Sequence, residues 1–339
     1  MNSTSKTALW QRQEGEKVRC LLCPHSCLLA PGEKGKCRAR KHEPGRGLVS
    51  FNYGFVSSVA LDPVEKKPLY HWRPGETILS LGTVGCSMDC PFCQNWVIAC
   101  WEEDVALTPI KPGDVPRMAL KNNVTSAAFT YNEPLVWYEF VLEASRALKE
   151  QGLAAVIVSN GQINPKPLEE LAPFIAAANI DLKAYTEAAY KLMGGSLEAA
   201  KNAIKTLTGA GVHVETTFLL VPGINDDREA FKAMTGWLGS LKPQPVLHIS
   251  RYFPSRSWTA PATPPPLLDE FAAVAGDRLS RVYLGNVGKE SDTRCLSCGS
   301  ILVSRKNYSV KIQGLDSRGQ CTTCGAPSDI VMNQPENED

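Results

Sequence analysis

Six apolar, β-branched runs recur through the middle of this chain, at 78–84, 126–131, 154–159, 178–182, 212–221 and 246–250. Between them lie stretches with helical spacing at 135–151, 165–176, 197–209 and 228–241, several of them bounded by Pro or Gly. Apolar runs of strand length separated by amphipathic helices are the pattern of parallel strands joined by helical crossovers. The pattern predicts an α/β fold built on a partial (β/α)6 TIM-like barrel over 76–287, with functional groups at the C-terminal ends of its strands. A small N-terminal Cys-rich segment with strands occupies 1–75, a zinc ribbon 288–332, and a disordered acidic tail 333–339.

Twelve cysteines fall into three local groups and one singleton, Cys100. Cys86, Cys90 and Cys93 have CxxxCxxC spacing on a loop directly after the first apolar run. Three thiolates can hold three irons of a cubane cluster and leave the fourth iron open, whereas zinc knuckles supply four ligands from paired CxxC units. Cys100 either closes a fourth corner or, lying past the apolar Trp96-Val97-Ile98, is a buried apolar cysteine. Cys295, Cys298, Cys321 and Cys324 form two CxxC knuckles, each followed by Gly, with short strands expected between them at 301–303 and 308–312. That is a zinc ribbon, a closed tetrathiolate site whose default role is structural. The bases Arg294, Arg305, Lys306, Lys311 and Arg318 would allow it to dock a partner or nucleic acid, or would simply be a solvated face. Cys20, Cys23, Cys27 and Cys37 saturate either zinc or an auxiliary iron–sulfur cluster, and His25 could replace one ligand.

With 339 residues and 43% apolar composition, the chain can bury a large core. A net charge of +1 with acids and bases interspersed gives no global attraction to nucleic acid or to an anionic membrane. No apolar run reaches the length of a membrane span, and the first fifteen residues lack an apolar signal segment, so a cytoplasmic protein is expected. The cysteines then read as reduced metal ligands rather than a disulfide framework.

Polar motifs follow the apolar runs in order. The second run ends in Thr130-Tyr131-Asn132-Glu133-Pro134, a carboxylate that needs a nearby cation or solvent. The third ends in Ser159-Asn160-Gly161, the fourth in Asp181-Leu182-Lys183, and the fifth in Val221-Pro222-Gly223-Ile224-Asn225-Asp226. His248 lies near the end of the sixth. Bland readings stand beside each: a cap or surface acid for Glu133, an ion pair for Asp181 with Lys183, and a satisfied core histidine for His248.

The cysteine triple followed by Gln94-Asn95 resembles the signature of radical S-adenosylmethionine (SAM) enzymes. The strand-end motifs resemble those of the activating enzymes in that superfamily, whose Gly-Gly-Glu-Pro, Thr-Asn-Gly, Asp-Leu-Lys and Val-Pro-Gly-x-Asn-Asp turns face SAM. Tyr131 and Asn132 replace the two glycines, and Val158 replaces an aspartate tied to a monovalent-cation site. Over 18–332 the chain is most similar to the radical SAM proteins of the AmmeMemoRadiSam system, relatives of pyruvate formate-lyase activating enzyme. The narrower match rests on Cys20-x2-Cys23-Pro24-His25-x-Cys27 with Gly35-x-Cys37, on the run from Asp62 to His71, and on Gly285-Asn286-Val287. Lys66, Lys67 and His71 in the second of these would present charge to the barrel mouth or sit on the surface.

The resemblance implies a [4Fe-4S] cluster on Cys86, Cys90 and Cys93, SAM contacted by Glu133, Asn160, Asp181, Lys183 and His248, and flavodoxin or ferredoxin as electron donor. It implies reductive cleavage of SAM to a 5′-deoxyadenosyl radical and activase-like hydrogen abstraction from a protein or peptide. RNA or small-molecule modification and a non-catalytic multi-metal protein are the alternatives. The balanced charge argues against a nucleic-acid partner, and a scaffold would not need polar motifs at consecutive strand ends.

Overall fold

A computed structural model of the chain describes residues 5–101, 105–288 and 290–333; of the expected acidic tail at 333–339, residues 334–339 lie outside them. Its centre is an eight-stranded sheet in which strands follow one another in chain order: Ser58–Pro63, Thr77–Gly82, Ser126–Phe129, Ala154–Ser159, Ala177–Asp181, His213–Leu220, Val246–Arg251 and Val282–Gly285. The last seven are mutually parallel, and Ser58–Pro63 runs antiparallel to Thr77–Gly82 at one edge. The two edge strands do not pair, so the barrel is open.

All six expected runs are strands, and the sheet adds one at each edge. Val282–Gly285 is four residues long, too short for its apolar character to stand out. Ser58–Pro63 is half exposed on alternate residues and ends in proline, as edge strands do. The crossovers are Asp114–Lys121, Tyr138–Glu150, Pro165–Leu171, Leu197–Gly209, Arg228–Ser240 and Pro265–Gly276. Two of them start on Ser196 and Asp227, whose side chains accept from the backbone N–H three residues on, a cap that satisfies an orphan donor.

Alternation along the strands sorts side chains onto two faces. Leu79, Leu81, Ala127, Phe129, Ala155, Ile157, Ala178, Ile180, Leu247 and Ile249 join the main core. Each buried Leu, Ile or Phe side chain among them contributes roughly 1.5–3 kcal/mol. On the other face Ile78, Ala128, Val156 and Ala177 pack against Val64, Leu69 and Trp72. Residues 64–73 therefore enter the barrel and fill it rather than lining its mouth or surface. Lys67 and His71 are buried, Asn179 Nδ2 donates to Pro68 O at 2.8 Å, and Glu215 accepts from the amides of Tyr70 (3.0 Å) and His71 (2.7 Å). Lys67 Nζ bonds Asp62 at 2.6 Å, and Tyr131 Oη donates to the same carboxylate at 2.6 Å. Of the charged pair only Lys66 remains partly exposed.

Two three-stranded antiparallel sheets make up the N-terminal segment. The C-terminal module is a three-stranded sheet of Thr293–Arg294, Ile301–Lys306 and Ser309–Ile312. It is fastened to the barrel: Arg281 bonds Asp329 through two nitrogens (2.8 and 2.6 Å), and Arg305 Nη2 donates to Tyr70 O at 2.6 Å. Arg305 is buried, so it is not part of a basic docking face.

Candidate functional site

The loop 83–95 leaves the first parallel strand at its C-terminal end, and the ends of the other strands hold it. Asn132 Oδ1 accepts from Thr83 N–H (3.1 Å) while its Nδ2 donates to Gly85 O (2.8 Å), and Asn95 Nδ2 donates to Tyr131 O (2.7 Å). From the far side of the barrel Arg256 Nη1 donates to Cys90 O (2.9 Å), Arg256 Nη2 pairs with Asp89 (2.8 Å), and Ser255 Oγ donates to Cys93 O (3.1 Å). Arg256 has no spacing signature and was not legible in the sequence. Tyr131 sits at φ +73°, a left-handed conformation that glycine adopts freely and a tyrosine rarely does.

Burial pushes all three thiols up: Cys86 well above the ordinary value, Cys90 to about 11, and Cys93 in the same direction. Cys86 feels charge on Cys90 and Cys93, and Cys90 feels charge on Cys93, so repulsion among the sulfurs adds to burial. Thiols so placed become good ligands when a bound cation replaces their protons. Cys100 is buried and donates to Asp89 at 3.5 Å, so its sulfur already has a partner.

Glu133 is buried, and the expected cation or solvent is not what satisfies it. Ser159 Oγ (2.8 Å) and Leu135 N–H (3.0 Å) donate to Oε1, and Asn160 N–H donates to Oε2 (2.7 Å). Among the described residues no basic side chain forms an ion pair with it, and its hydrogen-bond donors are two backbone amides and a hydroxyl. Burial raises its carboxyl to about 7 despite these donors. Asn160, on the next strand end, points Nδ2 at Cys86 Sγ (3.5 Å) and accepts from Ser87 Oγ (3.4 Å). The structure thus joins Glu133, Asn160 and Cys86 in one chain of contacts.

Asp181 and Lys183 form an ion pair at 2.9 Å, partly exposed on both sides. Burial works against the ammonium of Lys183, but Asp181 and the sulfurs of Cys90 and Cys93 outweigh it and hold Lys183 above its ordinary range. Asn225 Nδ2 donates to Lys183 O at 2.7 Å, fixing that strand end to the loop after the next strand.

His248 is not brought into this group. It is the third residue of its strand, its Nε2 bonds Glu215 at 2.6 Å, and its ring meets Tyr70 edge-on. It lines a cavity of about 250 Å³ shared with Tyr70, Ser250, Asn286, Arg305 and Tyr308. Glu215 is held well below the carboxylate range: burial opposes its charge, and His213 and His248 overcome that.

The two four-cysteine groups lie on opposite sides of this site in the chain. Cys295, Cys298, Cys321 and Cys324 have all four sulfurs within 4.8 Å of one another, as a single tetrahedral ion requires. The N-terminal quartet touches the loop directly: Cys86 N–H donates to Cys37 O at 3.2 Å, and His25 Nε2 bonds Ser87 O at 2.6 Å. That nitrogen is therefore engaged and does not ligate a metal. All twelve cysteines are free thiols. No helix among the described residues is long and apolar enough to cross a membrane.

Residues 80–234 match the radical SAM superfamily. An uncharacterized protein of Methanocaldococcus jannaschii is 34% identical over 330 residues, covering 95% of this chain and 98% of its own length. A radical SAM methyltransferase from Sphaerobacter thermophilus superposes with a TM-score of 0.51 at 16% identity, over 67% of this chain and 71% of that one. A domain of pyruvate-formate lyase-activating enzyme from Bacteroides vulgatus superposes with a TM-score of 0.42 at 18% identity, over 47% of this chain and 98% of the domain. At 16% identity the likeness to the methyltransferase speaks for the fold alone.

Proposed function

The chain belongs to the radical SAM superfamily, and from that premise we propose that Cys86, Cys90 and Cys93 hold a [4Fe-4S] cluster whose open iron binds SAM, and that the protein abstracts hydrogen from a protein or peptide. When bound, the cluster supplies the electron that cleaves SAM to methionine and a 5′-deoxyadenosyl radical. The observation that carries the reading is Glu133: a buried carboxylate furnished with three dipolar donors, without an ion-pair partner among the described residues, and linked through Asn160 to Cys86. The amino group of SAM is a cation of the size and charge that position lacks. Lys183 and Asp181 present a donor and an acceptor for the carboxylate and ribose of SAM, and each is exposed enough to exchange its partner.

The chain's own residues orient and shield. Arg256 and Ser255 clamp the cysteine loop, Asn132 ties it to the strand beside it, and residues 64–73 block the opposite end of the barrel from water. His248 faces a cavity that runs from Tyr70 to Ser250 and Asn286, and serves the barrel interior in this reading. The N-terminal quartet completes the metal sites, and the ribbon quartet holds zinc. A cytoplasmic protein with twelve reduced cysteines and a flavodoxin or ferredoxin donor follows from the same chemistry.

Anaerobically reconstituted protein with dithionite is expected to convert SAM to methionine and 5′-deoxyadenosine, and a deuterated substrate peptide would pass its label to the latter. Cluster-loaded protein that binds SAM without cleaving it would sink the enzymatic reading. Label transfer from RNA or a metabolite instead of a peptide would overturn only the substrate class.

A further inference from the structure

We propose that Cys20, Cys23, Cys27 and Cys37 hold a second iron–sulfur cluster of the four-iron cubane type, not zinc. A zinc ion bound by four thiolates at about 2.3 Å draws their sulfurs to about 3.8 Å from one another. The ribbon shows this arrangement, with Cys295 and Cys324 sulfurs 3.7 Å apart and Cys298 and Cys321 sulfurs 3.7 Å apart. Among the described residues it is the one group of three or more such side chains that is drawn together within 4.8 Å. The N-terminal quartet is also complete, yet its sulfurs stand wider apart.

What lies between those sulfurs is space. Cys20, Cys23, Cys27 and Cys37 line a largely enclosed cavity of about 20 Å³, walled otherwise by Leu22, Leu135 and other mostly apolar groups. A tetrathiolate zinc site has no such void, because its sulfurs touch each other. A cubane puts an iron under each thiolate and inorganic sulfides between the irons, so it needs both the wider spacing and the central room. The sequence spacing of the quartet was compatible with either metal, and the cavity separates them.

A second observation shows that the cavity is built for a group with acceptor atoms. Arg40 lines it and is 1% exposed. Its Nη2 bonds Glu139 at 2.6 Å, while Nε and Nη1, both buried, have no partner. Unpaired buried donors of this kind are costly. The sulfides and thiolates of a cluster are acceptors that N–H groups can reach. Backbone amides of Leu22, His25 and Ala39 already donate to Cys20, Cys23 and Cys37.

The position gives such a cluster a consequence. Cys37 carries the carbonyl that accepts from the amide of Cys86, so one hydrogen bond of 3.2 Å joins a ligand of this site to a ligand of the other. The inference rests on the radical SAM reading only for that neighbour, and the test removes it. The full-length variant Cys86→Ala/Cys90→Ala/Cys93→Ala, reconstituted anaerobically with ferrous iron, sulfide and zinc, is expected to retain about four irons and about four sulfides, with about one zinc. Dithionite is expected to bleach its visible absorbance and give an electron paramagnetic resonance signal. About two zincs with no acid-labile sulfide would overturn the proposal. Wild-type protein supplies an independent count, since two cubanes give about eight irons and one gives about four. In an otherwise intact chain, Cys23→Ala/Cys27→Ala is expected to lose half the iron and keep its zinc; loss of the zinc with the iron unchanged would equally reject the assignment.

Discussion

At Glu133 burial of a carboxylate carries an energetic cost that shifts its protonation. Its carboxyl is raised from 4.5 to about 7, with burial as the main cause. A raised carboxylate favours the protonated folded state, so its stabilisation is complete below pH 4.5 and is lost as pH rises through 7, by roughly 3 kcal/mol in the SAM-free protein. SAM needs the charged form, so the sign for binding is opposite. Equilibrium dialysis should show SAM binding about tenfold weaker at pH 6 than at pH 8, and Glu133→Gln should both weaken binding and flatten that dependence. A wild-type affinity that is flat between those pH values would remove Glu133 from the SAM site. For the cysteines, Cys86→Ala is expected to abolish SAM cleavage and Cys100→Ala to leave it largely intact, because the Cys100 sulfur is already engaged with Asp89. Spacing alone made the cysteine triple legible, since all its members lie on one loop. The environment of Glu133 was not, because Ser159 and Asn160 reach it from another strand, 26 and 27 residues away. Arg40 and Glu139, 99 residues apart, left no local trace at all.

Among the elements, the long parallel strands were legible because both their faces are buried and so read as unbroken apolar runs. The two edge strands and the small N-terminal sheets were not, since short or half-exposed strands carry weak patterns and take their order from neighbours. The segment 64–73 was misplaced because Lys67 and His71 look like surface residues until Asp62 and Glu215 are brought to them by the sheet. Arg305 on the central ribbon strand stands opposite this segment. It lies 3.8 Å from Glu65, and both are buried. Burial pushes the Glu65 carboxyl up, and Arg305 opposes that shift. Replacing Arg305 with Met leaves Glu65 and the Tyr70 carbonyl without their partner, a loss on the order of 3 kcal/mol. Denaturant unfolding should report it as a lower midpoint with zinc content unchanged. Cys295→Ser should do the reverse in order of events, releasing zinc first, as a colorimetric chelator would detect, and loosening the module as a consequence.

Taken as one molecule, the protein is an open barrel flanked by two small cysteine-rich modules. The N-terminal module hands Cys37 to the cysteine loop, and the C-terminal module holds the segment that fills the barrel's other end. A zinc ribbon read from sequence is self-contained, which would leave the barrel intact without it. The contacts contradict that independence. Asp329 takes two bonds from Arg281 and faces His71 at 3.3 Å, and Val331 exchanges backbone hydrogen bonds with His71 and Arg73. Burial favours the neutral form of Asp329, but His71 and Arg281 outweigh it and hold the carboxyl below its usual range. A lowered carboxylate stabilises above its unfolded pKa and loses that contribution as pH falls through its folded value. Docking should therefore weaken in acid, below about pH 4. A chain ending at Val287 lacks every one of these contacts at any pH. It is expected to melt at a lower temperature than the full-length Cys295→Ser variant, because it loses the buried arginine bonds as well as the zinc. Its residues 64–73 should become accessible to limited proteolysis, and its SAM affinity should fall together with barrel stability. A truncated chain that melts with the full-length protein and protects residues 64–73 would show that the ribbon only rests on the barrel, and the buried contacts of Arg281 and Arg305 would then carry no net stabilisation.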